Sequence, residues 1–285
     1  MGGHAARLIA YVLTAVIALA LTGCAGVGMT PGSGVDDDRF VAAIDTDDVR
    51  FVRSAVESGA INVNQRIAAP GYPDGAPIVA IAARSASLEI LRFLISARAD
   101  LNARTPVNET PLMLAAYFFD GNQNGTERTS GRYERAVRML VEAGASLENV
   151  PYQYTPLAYA AYQGNERIVR YLIERGARVN ADADAQRGGT YINTPLMMAA
   201  MQGHERIVRS LLRAGADADV RVYGGNTAAE FAAKYNHRAL AQLLHCAQRR
   251  GASPVSGQCR QILGNDIPAE GRRLRSADGE PSGRT

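Results

Sequence analysis

The sequence predicts an all-α solenoid of about six helix-turn-helix repeats joined by hairpin fingers, and three observations carry that expectation. The first is self-similarity: the segment Thr155–Ala177 recurs as Thr194–Ala216, with Thr-Pro-Leu, Ala-Ala, Gly, Glu-Arg-Ile-Val-Arg and Gly-Ala at matching places. The second is a set of weaker copies. Thr110-Pro111-Leu112 leads to Ala143-Gly144-Ala145, Ala76-Pro77-Ile78 leads to Leu91–Ile95, and degenerate copies start near Asp37 and at Thr227-Ala228. Starts from Ala76 to Thr227 are spaced by 34, 45, 39 and 33 residues. The third is that every copy reads as two short helices with their own start and stop signals.

The N-terminus comes first in chain order. His4 and Arg7 precede an apolar run at residues 8–21, which ends in Leu21-Thr22-Gly23-Cys24. A positive start, a short apolar core and small residues at the break read as a secretory leader over 1–23. The run is shorter than the about 20 apolar residues a membrane span needs. Leu21-Thr22-Gly23-Cys24 resembles the bacterial lipobox, and the resemblance implies cleavage before Cys24 and acylation of that cysteine. A plain leader, or a short anchor with a chance cysteine, is the alternative. Ala25 in place of Asp implies, within the same pattern, the outer membrane facing the periplasm. Three acyl chains at about 0.8 kcal/mol per buried methylene would hold firmly. Residues 24–35 then read as a Gly-rich tether reaching roughly 20 Å.

Within each repeat the residue choices have physical reasons. Thr caps a helix and Pro occupies its first turn, where a missing N–H costs nothing. The Ala-Ala pair keeps the inner helix thin, so neighbours can approach. Gly164 and Gly203 permit the turn between helices, the Ile-Val-x-x-Leu pattern forms an apolar stripe on the outer helix, and Gly176 and Gly215 end it in a left-handed cap. Asn62-Val63-Asn64, Asp100-Leu101-Asn102, Arg178-Val179-Asn180 and Asp217-Ala218-Asp219 open the fingers.

These motifs resemble the ankyrin repeat over residues 36–248. The histidine that usually follows Thr-Pro-Leu is replaced by Val79, Met113, Ala158 and Met197, so the hydrogen bonds it would supply are expected to be lost. Extra residues fall between the helices of the third repeat, near Phe119–Thr126, in the fourth finger, Ala183–Gly189, and in the first finger, Ile67–Tyr72. Insertions in such stacks map to loops, often on a binding face.

The resemblance implies binding through the finger tips and the concave side of the inner helices. Alignment on the Thr positions selects the candidate partner-binding residues. Leu114, Tyr159, Met198 and Phe231 stand four residues on; Tyr117, Tyr162, Met201 and Lys234 seven on; Phe118, Gln163, Gln202 and Tyr235 eight on. Equal offsets line up in rows, so the expectation is an aromatic and methionine band of the kind enriched at interface cores. Packing against the adjacent repeat is the competing reading. Tyr152, Tyr154 and Tyr191 lie close in sequence to the same band.

Catalytic constellations are missing. No Gly-x-Ser-x-Gly elbow occurs, and Lys234, the one lysine among 31 basic residues, follows Ala233, so no phosphate-binding loop exists. His204 fits the turn position of the repeat. His245-Cys246 cannot act as a pair, because adjacent helix residues point about 100° apart. Asp182 with Asp184, and Asp217 with Asp219, lack calcium-loop spacing, so no metal or cofactor is expected. Asn108-Glu109-Thr110 and Asn124-Gly125-Thr126 are formal sequons only. With Cys24 assigned to lipid, Cys246 and Cys259 remain for a disulfide that pins the tail, two free thiols being the alternative. Residues 249–285, rich in Arg, Gly, Ser and Pro, read as a mostly disordered tail.

A net charge of +3 is too small by itself to argue for a nucleic-acid or membrane-surface field. The expected protein is therefore a monomeric, non-catalytic scaffold in the bacterial envelope. It would bind a protein partner, no nucleic acid, and the membrane only through its lipid. An immunity protein against a periplasm-acting toxin and a structural envelope tether are the alternatives.

Overall fold

The computed structural model describes residues 36–117, 127–148, 154–180, 189–190, 192–222, 225–248, 259, 261–262 and 264. The expected leader at 1–23, Cys24 with its tether, the insertion at 118–126 with Phe118, Tyr152, Tyr191, and Asp182 and Asp184 lie outside them, as does the tail apart from Cys259, Gln261, Ile262 and Gly264.

Helices follow one another in short pairs: α1 (Asp37–Asp45) with α2 (Val49–Glu57), α3 (Ile78–Arg84) with α4 (Leu88–Ser96), and α5 (Pro111–Tyr117) with α6 (Glu127–Glu142). The series continues with α7 (Pro156–Gln163) and α8 (Glu166–Glu174), α9 (Pro195–Gln202) and α10 (Glu205–Arg213), then α11 (Ala228–Lys234) and α12 (Arg238–Gln248). The described residues form two compact units. One runs to Ala115 and takes in Arg138–Ala145; the other holds the described residues of 116–137 and those from Ser146 onward.

In the first unit α1 packs on α3 and α2 on α4, burying Phe40, Ile44, Val52, Ile78, Ile90, Leu91 and Leu94. Polar groups lock the pairs in register. Asp47, at φ 58° in the turn after α1, accepts the N–H groups of Glu89 and Ile90 at 3.4 and 3.1 Å. Its carboxylate thus accepts from otherwise unsatisfied N–H donors at the start of α4. Buried Ser87 donates to the Ile44 carbonyl. The first finger is a hairpin in which β1 (Arg66–Ala69) pairs antiparallel with β2 (Tyr72–Pro77), bulging between Ile67 and Ala69. Tyr72 is buried and donates to Glu109 at 2.7 Å, with the Arg84 guanidinium above its ring. Burial, followed by the Glu109 carboxylate, pushes the Tyr72 hydroxyl far above its ordinary pKa, so it stays a donor.

In the second unit α7 packs on α9 and α9 on α11, while α8 packs on α10. Thr155, Thr194 and Thr227 each accept the N–H three residues on, at 3.2, 3.3 and 3.3 Å. A cap of this kind is worth about 1 kcal/mol. At the position of the missing histidine the Met197 sulfur takes the Thr194 N–H at 3.5 Å, and the Glu230 carboxylate takes that of Thr227 at 2.8 Å. These two donors are therefore occupied, weakly by the thioether and well by the carboxylate. Gly164 and Gly203 end α7 and α9 at φ 83° and 75°. An imidazole from the next pair lies over each: His204 Nε2 reaches the Tyr162 carbonyl at 3.0 Å, and His237 Nε2 reaches that of Met201 at 3.2 Å. Finger roots are tied too, since Asn180 accepts the Asp217 N–H at 2.9 Å and donates to the Gly215 carbonyl at 3.0 Å. Two short strands, β3 (Gly189–Thr190) and β4 (Arg221–Val222), pair in parallel.

Cys246 and Cys259 form a disulfide with Cα atoms 5.3 Å apart, and both are buried. The segment beyond returns to α10, where Arg209 donates to the Ile262 carbonyl at 3.1 Å.

Candidate functional site

An inner helix of about two turns has neighbours on most sides, so few of its positions meet solvent. Pro156–Ala161 and Pro195–Met201 are buried without a break. This corrects part of the expected band. Leu114, Tyr159, Met198 and Met201 are 1%, 7%, 5% and 7% exposed and belong to the core. The reason is packing: neighbouring helices cover these positions, whereas Phe231, at the same four-residue offset from Thr on α11, stays half-buried. Met201, seven after Thr, is buried with Ala158 and Met198 beneath Tyr154, Tyr162 and Phe231, where a flexible thioether fills the gap between helices.

The rest of the expected set reaches the surface to different degrees. Tyr117, Tyr162, Gln163 and Phe231 are half-buried, and Gln202, Lys234 and Tyr235 are exposed. Phe118 lies outside the described residues. The rings interlock: Tyr117 stacks on Tyr162 at 6.5 Å between centroids and meets Tyr159 edge-on at 5.2 Å, and Tyr154 meets Tyr159 edge-on at 6.0 Å. Such pairs contribute about 0.5–1.5 kcal/mol beyond the area they bury, so the aromatics in this patch are held in place before any partner arrives.

Two members were not among the candidates chosen from the motif offsets. The Tyr154 hydroxyl is hydrogen-bonded by the backbone and side-chain amides of Asn193. Both residues stand directly before the capping Thr of their repeats, Thr155 and Thr194, so the position one before Thr was the register signal. Gln202 hydrogen-bonds the Tyr162 hydroxyl. Burial raises the pKa of Tyr162 above the ordinary value, with Tyr235 adding to the rise and the Gln202 bond opposing it; Tyr154 is likewise raised, chiefly by burial. Both hydroxyls are neutral.

Among the described residues, charge beside this patch comes from α11 and from Arg221 of β4. Glu230 is engaged by Arg221 through two bonds of 2.8 and 3.0 Å, leaving the Lys234 ammonium, 5.9 Å from the Tyr235 ring centroid. An open depression of about 460 Å³ between the starts of α8 and α10 is lined by Gly164, Glu166, His204, Glu205, Arg206 and Ile207. His204 is committed there to the Tyr162 carbonyl, and Arg206 lies 3.8 Å from Glu166, so the lining supplies no nucleophile. Cys246 is spent in the disulfide, and His245 bonds Gln248 at 3.0 Å. Among the described residues no three His, Cys, Asp or Glu side chains gather as metal ligands do.

Comparison with known proteins agrees with the stacked pairs. The profile described as Ankyrin repeats (3 copies) matches residues 82–183 and again 181–255. The chain belongs to the ankyrin repeat family. Ankyrin repeats generally mediate protein–protein interaction, and no enzymatic family is indicated. A stretch of 100 residues is 34% identical to the transient receptor potential cation channel subfamily A member 1 homolog of Caenorhabditis elegans. It covers 35% of this chain and 7% of that protein, so the ankyrin chain spans a small part of the relative's length.

Proposed function

We propose that this chain is a non-catalytic binding module that captures a protein partner on the tyrosine and amide face of its second unit. About six ankyrin repeats over 36–248 would present that face, and a lipid on Cys24 would hold the module in a bacterial envelope. The observation that carries the reading is the surface just described. Tyr162, Gln163 and Gln202 remain accessible on helices whose other positions are covered, and Phe231, Lys234 and Tyr235 are accessible on and just after α11. Ordered aromatics are what an interface core uses. The envelope location rests on the lipobox-like Leu21-Thr22-Gly23-Cys24 after an apolar run, and the outer membrane on Ala25.

Affinity capture from envelope extract tests the binding claim. A Tyr162→Ala, Tyr235→Ala double variant should lose partners that an Arg170→Ala variant on the outer helix retains. Recovery of the same partners by both variants would remove the basis for this face. Incorporation of a palmitate analogue should vanish in Cys24→Ala; persistent labelling would refute the anchor.

A further inference from the structure

The charge pattern of the face specifies its partner more closely, if the binding reading above holds. Helices α7 and α9 contain no acidic or basic residue. Their accessible side chains are tyrosine and glutamine, and the Tyr154 and Tyr162 hydroxyls have amide partners. On α11 the Glu230 carboxylate and the Arg221 guanidinium cancel each other. That leaves Lys234, exposed at the edge of the aromatic row, with its ammonium over the Tyr235 ring and no carboxylate pairing with it among the described residues. A single cation beside an uncharged apolar strip repels a partner's Lys or Arg and favours a carboxylate, whose pairing is strengthened as the strip excludes water.

We propose that the partner docks through an uncharged aromatic or aliphatic protein segment carrying one internal Asp or Glu, whose side chain pairs with Lys234. The carboxylate belongs to a side chain, not to a chain terminus. Capture of a terminus uses free backbone N–H groups, whereas the N–H groups of Tyr235, Asn236 and His237 are already given to Phe231, Ala233 and Ala232. A neutral polysaccharide could stack on the same rings but would leave the ammonium unpaired.

A library of random linear peptides, selected on the immobilised full chain, tests this. The wild type should enrich peptides with Asp or Glu beside an aromatic or aliphatic residue. Lys234→Glu should enrich Lys or Arg at the same place, and Lys234→Gln should weaken the best acidic peptide by about fivefold. Lys234 is exposed, so neither change threatens folding. Identical charge preferences on wild type and Lys234→Glu would overturn the proposal, as would binding of a neutral polysaccharide with no peptide enriched. The underlying reading fails separately. Peptides lost with Tyr162→Ala but lacking a charge preference would leave the face and remove the carboxylate. Peptides indifferent to Tyr162→Ala and Tyr235→Ala would remove both.

Discussion

Replacing Gly164 by Ala puts the interlock between neighbouring repeats to a quantitative test. A Cβ at Gly164 would lie 2.6 Å from Cε1 and 2.8 Å from Nε2 of His204, far inside contact distance. Two costs follow. The backbone at φ 83° charges an L-residue about 1–2 kcal/mol. The imidazole must also leave, losing its bond to the Tyr162 carbonyl, for about 1 kcal/mol more. Gly176→Ala separates the two, because its φ is 93° yet a Cβ there meets nothing within 4 Å. Urea unfolding should therefore show a loss of roughly 2–3 kcal/mol for Gly164→Ala and 1–2 kcal/mol for Gly176→Ala, with unchanged slopes. In a His204→Ala background the excess should disappear, a coupling of about 1 kcal/mol in the double-mutant cycle. Equal costs at the two glycines, or no coupling with His204, would refute the interlock.

Four further outcomes are expected. Arg98 sits at φ 60° where other repeats have Gly, so Arg98→Gly should raise stability by about 0.5–1 kcal/mol; a lower melting temperature would count against that turn. Replacing Cys246 and Cys259 together by Ser opens a loop with a separation of 13 residues and should cost about 3 kcal/mol, matched by the wild type under dithiothreitol. Burial, opposed by the bond to the Tyr162 carbonyl and helped by His237, lowers the pKa of His204 from 6.5. The fold then favours neutral imidazole: stability is whole above pH 6.5 and falls as the unfolded chain takes up the proton first below it. His204→Gln should flatten the stability profile between roughly pH 7 and 5. Tyr159→Ala should cost about 3 kcal/mol as a core truncation while Tyr235→Ala stays within about 0.5 kcal/mol; similar losses would mean the two are misplaced between core and surface.

The repeat architecture was readable because its signals are local. Thr155-Pro156 and Thr194-Pro195 cap and start helices by their own chemistry, and Gly164, Gly203, Gly176 and Gly215 stand where φ turns positive. Register carried further, placing His204 at its turn and Tyr162, Gln202 and Tyr235 on the accessible side. Depth was harder to read. Leu114, Tyr159 and Met198 share the offset of half-buried Phe231, and only the packing of neighbouring helices decides which of these side chains are covered. Alignment on Thr also stopped one residue short of Tyr154 and Asn193. The sulfur that replaces histidine as acceptor at Met197 was equally hidden, since thioether hydrogen bonding leaves no mark in a motif.

Photo-crosslinking in living source cells tests the central claim most directly. A benzophenone side chain at Gln202, exposed beside Tyr162, should give a discrete covalent adduct with another protein. The same group at Arg170, on the outer helix α8, should give none. An adduct from Arg170 with nothing from Gln202 would contradict the account.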